Sequence, residues 1–181
     1  MANRQALRDL QSRLASRLLA ARDEGASVAW LAAESSGQGL LFPLGQAGEI
    51  FPWTPVQPVP YTQPWFLGVT NLRGSLSGVV DLARFAPPPN DPAARSEAAL
   101  AESSLLTFNV ALGVQCALVI DRLAGLRGGD AFVSVAPRAA DAPTWFGPVY
   151  TDPQQRPWQE IDLQALAAFP PFLDITLGLA G

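Results

Sequence analysis

The chain has 181 residues, of which 49% are apolar, and a formal net charge of −4. It contains no histidine and no lysine, so all 12 basic residues are arginines. These absences exclude nucleophiles activated by imidazole, Schiff-base lysines, phosphate-loop lysines and metal sites that need histidine. The acidic balance also argues against nucleic acid as the main partner, because phosphate contacts require a basic face.

The first predicted element is an amphipathic α-helix within residues 1–26, with Asn3 as its cap and Gly25 at its end. This segment has a net charge of +2 and the remainder has −6. We expect the helix to pack on the chain's own β domain or on a partner. The substitution Leu14→Asp should therefore weaken stability or binding. Its leucines recur at steps of three and four and form one narrow stripe: Leu7, Leu10, Leu14 and Leu18.

Residues 27–181 are predicted to form a mainly β domain. Short apolar runs follow one another, separated by Gly, Pro, Gln and Ser, which is the pattern of successive strands. Two of these runs are alike, since each closes with an Asp and a nearby Leu, at Asp81 and Asp121. The likeness indicates two similar small sheets or barrels. The main runs are VAWLAAE, GLLFPL, WFLGVTNL, SGVVDLARF, SSLLTFNVAL, VQCALVIDRL, AFVSV and TWFGPVY.

Two stretches interrupt the strand pattern. Prolines at 52, 55 and 58 predict a stiff, extended surface connection, because their spacing suits a polyproline II helix. Residues 87–104 are small, polar and Pro-rich at their start, and they predict a solvated connecting loop. This loop divides the domain into a first barrel of about residues 27–86 and a second barrel with the C-terminal segment, residues 105–181.

Few residues outside these patterns suggest chemistry. Cys116 is the only cysteine and lies in an apolar run, so we expect a buried core residue, with no disulfide and no zinc site. Two carboxylates such as Asp81 and Asp121 would suit glycoside hydrolysis, but Asp at a strand end more often closes a turn through hydrogen bonds to the backbone. No Gly-rich phosphate motif occurs. We expect no enzyme activity, no metal and no cofactor.

The stretch GVTNLRGSLSGVVDL, residues 68–82, carries the most specific signal. It resembles the signature of CheW-like domains, in which a strand leads through an N-L-R-G turn into a second strand that ends in V-[IV]-D-L. Further matches follow in the family's order: GEI at 48–50, a Pro before WFLGV, a second LVID run and a closing E-I-D-L-x-x-L. The resemblance covers about residues 28–168.

This resemblance implies a fold of two five-stranded SH3-like β barrels, here with the extra N-terminal helix, and a scaffold role without catalysis. CheW-like proteins link the cytoplasmic tip of a chemoreceptor to the regulatory domain of a CheA-type histidine kinase. The Arg-rich first segment, AWL and PWFLGV resemble the PilI-like branch, whose members act in type IV pilus twitching motility. We therefore expect a cytoplasmic adaptor, monomeric alone, with no direct membrane insertion; no apolar run approaches 18 residues.

The resemblance also implies a partner-binding surface. A Gly inside a strand often marks close approach of another backbone, so we expect Gly68→Asp to leave a folded protein that no longer binds the receptor. The residues assigned to this surface are Ala47, Gly68, Asn71, Leu72, Arg73, Gly74 and Leu126.

Glu49 and Arg73 are the only charged residues in the stretch 35–80. Each lies in apolar sequence, and a charge removed from water without compensation is strongly disfavoured, so we expect them to form a structural ion pair. In the rival interpretation, Arg73 points outward as a partner contact. A second class of function also stays open: a stand-alone β-barrel domain that binds a peptide or small ligand, or a regulatory fragment of a larger kinase.

Overall fold

The structure of the protein is a computed structural model that describes residues 29–86 and 94–177. The predicted helix within residues 1–26, with its leucine stripe and the expected effect of Asp at position 14, lies outside the described residues. So does the first part of the connecting loop, residues 87–93.

The described chain forms two β-sheets, which confirms the predicted mainly β fold. A six-stranded sheet has the order β8-β1-β2-β11-β10-β9, and a five-stranded sheet has the order β3-β6-β7-β5-β4. The strands are β1 (Trp30–Ser35), β2 (Gln38–Pro43), β3 (Ala47–Pro52), β4 (Phe66–Leu72), β5 (Ser75–Val80), β6 (Ser104–Phe108), β7 (Cys116–Ile120), β8 (Arg122–Arg127), β9 (Ser134–Ala136), β10 (Phe146–Thr151) and β11 (Pro157–Ile161).

The division of the chain between the sheets differs from the predicted boundary at 87–104. The six-stranded sheet contains β1 and β2 together with β8 to β11, whereas β6 and β7 join β3, β4 and β5 in the other sheet. Two parallel pairings connect distant parts of the chain: β5 pairs with β7, and β2 pairs with β11. Each sheet is thus built from both sides of the connecting loop.

Within the described residues, four short α-helices follow strands or loops. They are α1 (Leu82–Phe85), α2 (Glu97–Glu102), α3 (Leu163–Ala167) and α4 (Pro170–Leu173). The side chains of Asp81, Ser96 and Asp162 accept hydrogen bonds from the first turns of α1, α2 and α3. These caps satisfy backbone N–H groups that a helix cannot pair internally. No helix among the described residues is long and apolar enough to cross a membrane.

The main hydrophobic core lies between the two sheets. It takes Leu31 and Phe42 from the six-stranded sheet and Leu106 and Leu118 from the five-stranded sheet. Aromatic rings fill its end near α4, where the Phe172 ring stacks on those of two core residues. Residues of both sheets thus contribute to this core, and burial of such large apolar surfaces is the main driving force of folding.

Candidate functional site

The N-L-R-G sequence forms the turn of the β4–β5 hairpin. Arg73 and Gly74 have φ angles of 49° and 86°, and positive φ at both central residues is the condition for a type I′ turn. Asn71 Oδ1 accepts a hydrogen bond from the Gly74 N–H at 2.8 Å. The turn therefore has a defined shape and presents Arg73 at its exposed tip.

Arg73 contacts two residues of β3. Its Nη1 lies 2.6 Å from Glu49 Oε2, and its guanidinium carbon lies 5.5 Å from the centre of the Phe51 ring. The Arg73 and Glu49 side chains are 74% and 56% exposed, so the premise that apolar flanks would bury these charges is wrong. Arg73 pairs with Glu49, as expected, and its side chain still faces solvent; its role as a partner contact stays a prediction.

Exposed apolar side chains also occur on the strands that carry this ion pair. Leu76, which lies opposite Asn71 in the hairpin, is 61% exposed, and Ile50, which follows Glu49, is 39% exposed. We call this area the hairpin surface. An exposed charge pair flanked by exposed aliphatic side chains is a combination found at protein interfaces. The hairpin surface consists of Glu49, Ile50, Phe51, Asn71, Arg73 and Leu76.

Gly68 has a role within the fold that differs from the predicted one. It is buried, its φ is 136°, and a Cβ atom there would lie 2.2 Å from the Gln57 carbonyl oxygen. The close backbone is thus the chain's own: Gln57 and Val69 exchange two backbone hydrogen bonds, at 2.8 and 2.9 Å. The Pro-rich connection lies against β4 here, so we expect a substitution at Gly68 to disrupt folding before it obstructs a partner.

The remaining predicted site residues are dispersed. Leu72 is buried in a second core cluster of the five-stranded sheet. Ala47 pairs with Phe108 in that sheet, whereas Leu126 pairs with Leu31 in the other, and both are half-buried against the main core. The structure thus brings Asn71, Arg73 and Gly74 together with Glu49. Leu126 does not join them, because it lies in the other sheet.

Asp81 has the local capping role that the sequence favoured, whereas Asp121 caps a distant turn, the one between β1 and β2. Asp81 Oδ1 accepts from the Ala83 N–H at 3.2 Å, and Asp121 Oδ2 accepts from the Ser36 N–H at 2.6 Å. Both also pair with Arg95, a residue that the sequence analysis did not select. The available signal was that Arg95 lies between two similar Asp-terminated strands in sequence.

A second charged cluster lies on the six-stranded sheet. Burial opposes ionisation of Asp152, but hydrogen bonds from Trp158 Nε1 and from Arg156 outweigh it and lower the Asp152 pKa to about 2. The hydrogen bond from Arg122 likewise lowers the pKa of Glu34. The guanidinium of Arg156 lies over the Trp158 ring, at 5.2 Å from its centre. This arrangement stabilises the connection between β10 and β11, and it holds the pKa values of both Asp152 and Glu34 below their usual ranges.

Cys116 is buried, as the sequence predicts, and burial raises its pKa to about 12. A thiol with such a pKa is not a nucleophile at neutral pH. Among residues 29–86 and 94–177, no group of three or more Cys, Asp or Glu side chains is placed to hold a metal ion. The hairpin surface, in contrast, combines an exposed ion pair with exposed apolar side chains, which are groups suited to recognition.

The family model and the relatives that match this chain are all of the CheW-like type. A family model described as the CheW-like domain matches residues 30–169. The protein PilI of Pseudomonas aeruginosa is 26% identical over 169 residues, which cover 91% of this chain and 89% of that protein. A probable chemotaxis protein CheW of Rhizobium etli is 46% identical over 48 residues, covering 26% of this chain and 31% of that protein.

A solved structure shares the fold. The scaffolding protein TtCheW from Thermoanaerobacter tengcongensis matches with a TM-score of 0.59, over 75% of this chain and 89% of that chain, at 15% sequence identity. At this identity the match shows the fold, and it is consistent with two SH3-like β units.

Proposed function

The chain belongs to the CheW-like domain family, and on this premise we propose that it is a non-catalytic adaptor that couples a chemoreceptor to a CheA-type histidine kinase. The absence of histidine from the sequence suits this role, because the phosphorylated histidine of such a system belongs to the kinase. The similarity to PilI over most of both chains supports a role in type IV pilus twitching motility. The adaptor works in the cytoplasm.

The observation that carries the proposal is the exposed Arg73–Glu49 pair on a well-defined hairpin. A docking surface needs groups that are fixed before the partner arrives, since ordering mobile side chains costs affinity. The type I′ turn, the Asn71 hydrogen bond and the contact with Phe51 fix the Arg73 guanidinium while its outer side remains in water. Arginine in such a position is a frequent hot spot of protein interfaces.

The hairpin surface binds one of the two partners, and the exposed Leu76 and Ile50 supply the apolar part of that contact. A partner that covers them gains hydrophobic stabilisation, while the Arg73–Glu49 pair selects a surface with complementary charges. This division of roles predicts that loss of Leu76 shortens the life of the complex. Loss of Arg73 should lower both affinity and selectivity.

The direct test is to titrate the protein with the kinase regulatory domain and with the receptor tip, each in isolation. We expect Arg73→Ala to weaken one of these complexes about tenfold, roughly 1.4 kcal/mol, with an unchanged fold. Arg122→Ala is the matched control, because Arg122 also forms an exposed ion pair, with Glu34, on the other sheet. The proposal is wrong if neither partner binds the unmodified protein. It is also wrong if Arg73→Ala and Arg122→Ala both bind with the affinity of the unmodified protein.

A functional test follows from the coupling role. Kinase autophosphorylation, measured with receptor present, should rise when the unmodified protein is added and should rise less with Arg73→Ala. The protein alone should show no turnover of ATP. Receptor control of the kinase that is unchanged when the protein is omitted would contradict the adaptor role.

A further inference from the structure

The side chain of Arg95 occupies a site formed by both sheets. Its Nε donates to Asp81 Oδ2 at 2.9 Å, and its Nη1 donates to Asp121 Oδ1. Its Nη2 donates to Ser35 Oγ at 2.9 Å and to Ser36 Oγ at 3.1 Å, and also reaches Asp81 Oδ1 at 3.4 Å. All three guanidinium nitrogens are therefore paired, and only 8% of the side chain is exposed.

The acceptors come from separate parts of the fold. Asp81 and Asp121 follow β5 and β7, which are parallel neighbours, so their carboxylates lie at the same end of the five-stranded sheet. Ser35 and Ser36 belong to the end of β1 and its turn in the six-stranded sheet. Ser35 Oγ also donates to the carbonyl of Val119 at 3.3 Å. The body of the protein thus provides a preformed set of oxygen acceptors.

The occupant comes from a largely exposed segment. Arg95 lies in the connecting loop just before α2, and no residue of α2 is buried. The acceptor site, in contrast, is buried at Asp81 and Ser35, which are 1% and 2% exposed. At its C-terminal end this segment is attached through Leu100, which packs against the second core cluster, and through Ser103, whose carbonyl accepts a hydrogen bond from the Trp53 N–H; at its start, Arg95 makes the polar attachment.

We propose that Asp81, Asp121, Ser35 and Ser36 form a guanidinium-binding site, and that Arg95 occupies it as an intramolecular ligand that latches the connecting loop across both sheets. A guanidinium matches the site because its planar fork binds Asp81 with two nitrogens while the third binds Asp121. A lysine ammonium lacks this geometry. Without a cation, two carboxylates would face each other, one of them buried, and such a site strongly favours a new cation.

Residues that the latch holds also line a cavity between the six-stranded sheet and α1. Ser35, Leu82, Ala83 and Ala86 line this cavity together with Trp145. Arg95 restrains two parts of that lining: it holds Ser35 directly, and it holds α1 through its cap Asp81. Departure of Arg95 would therefore open the acceptor site and loosen one wall of the cavity.

Chemical rescue tests the site. Arg95→Met should melt on the order of 10 °C below the unmodified protein, because it leaves a buried carboxylate unpaired. Low millimolar guanidinium chloride should then raise its melting temperature, whereas the same concentration of sodium chloride should not. Arg122→Met, which removes an exposed guanidinium, is the matched control and should show no such gain. An Arg95→Met protein that melts like the unmodified one, or that guanidinium does not stabilise, overturns the proposal.

A second measurement covers the case in which Arg95→Met does not fold. In Arg95→Lys, the amides of Ser36 and Ala83, which donate to Asp121 and Asp81, should exchange hydrogen at least about tenfold faster. The Gly74 amide donates to Asn71 at the opposite end of β5 from this site, so its hydrogen-exchange rate should not change. Unchanged exchange at Ser36 and Ala83 would show that Arg95 does not hold the site closed.

Discussion

Arg95 and Arg73 both pair with carboxylates, but they do so in opposite surroundings. Arg95 comes from a polar, Pro-rich connection and is 8% exposed, whereas Arg73 lies between apolar runs and is 74% exposed. The sequence around each residue suggests the reverse. The comparison teaches that the flanking residues of a charge do not determine its burial; the pairing of strands distant in sequence does.

The difference separates stability from recognition. A buried pair that loses one member leaves an uncompensated charge, which costs several kcal/mol, whereas an exposed pair contributes about 0–1 kcal/mol. Arg95 therefore stabilises the junction between the sheets. Arg73 contributes little to stability and remains available to a partner.

The largest effect is expected at Gly68, which lies in the same hairpin as Arg73 but in its buried part. Gly68→Asp places a Cβ atom 2.2 Å from the Gln57 carbonyl oxygen, in a backbone with φ of 136°. We expect the unfolding free energy to fall by about 4 kcal/mol or more, because strain, overpacking and a buried charge act together. Urea denaturation measures the loss.

Gly74→Ala is the matched control for this prediction. Its φ is also positive, at 86°, but no atom lies within 4 Å of the position that its Cβ would take. It should cost about 1–2 kcal/mol from backbone strain alone. A Gly68→Asp protein as stable as Gly74→Ala would restore the original expectation, in which Gly68 serves partner docking and not folding.

The sequence predicted much of this hairpin and little of its surroundings. Apolar runs and the N-L-R-G turn identified β4 and β5, because alternation and turn chemistry are local signals. The contact between Gly68 and Gln57 was not predictable, since it depends on how the Pro-rich connection lies against β4. The sequence suggested close approach of another backbone, and only the structure shows whose backbone it is.

The same limit explains the division of the strands. Two sheets were predicted, but the parallel pairings of β5 with β7 and of β2 with β11 join segments far apart in the chain. Such pairings leave no local pattern, so a boundary at the connecting loop was the simplest hypothesis. Arg95 was missed for the same reason, because its partners converge only when these strands pair.

The next largest effect is expected at Arg95. Arg95→Met should lower the unfolding free energy by about 3–5 kcal/mol, because Asp81 is then buried without a partner. The double variant Arg95→Met/Asp81→Asn should be more stable than the single one, since the unpaired charge is gone. Urea is the suitable denaturant, because guanidinium would bind the site under test. A double variant less stable than Arg95→Met would show that the charge on Asp81 is not the source of the loss.

An intermediate case is Asp152, a buried carboxylate that pairs with the half-exposed Arg156. Its pKa is about 2 in the folded protein, against about 3.9 in an unfolded chain. Because the Asp152 pKa is lower in the folded protein than in the unfolded chain, ionised Asp152 stabilises the fold. This stabilisation is fully present above pH ~4 and is lost as the pH falls toward ~2. We expect melting temperatures to decrease over this range, and Asp152→Asn to flatten the decrease. An equally steep decrease in Asp152→Asn would assign the acid sensitivity to other carboxylates.

The smallest effect on stability is expected at the Arg73–Glu49 pair, and it defines the other end of the comparison. Because the two side chains are 74% and 56% exposed, a double-mutant cycle on Arg73→Ala and Glu49→Ala should give a coupling free energy below about 1 kcal/mol. This coupling should shrink further at high salt, since solvent ions screen exposed charges. Coupling of about 3 kcal/mol would mean that the pair behaves like a buried one and that Arg73 resembles Arg95 after all.

The same cycle measured on partner affinity should give a larger value than on stability, because docking removes water from the pair and strengthens its electrostatic interactions. A hairpin surface without a docking role would show no such increase, so the ratio of the two couplings distinguishes a recognition arginine from a structural one.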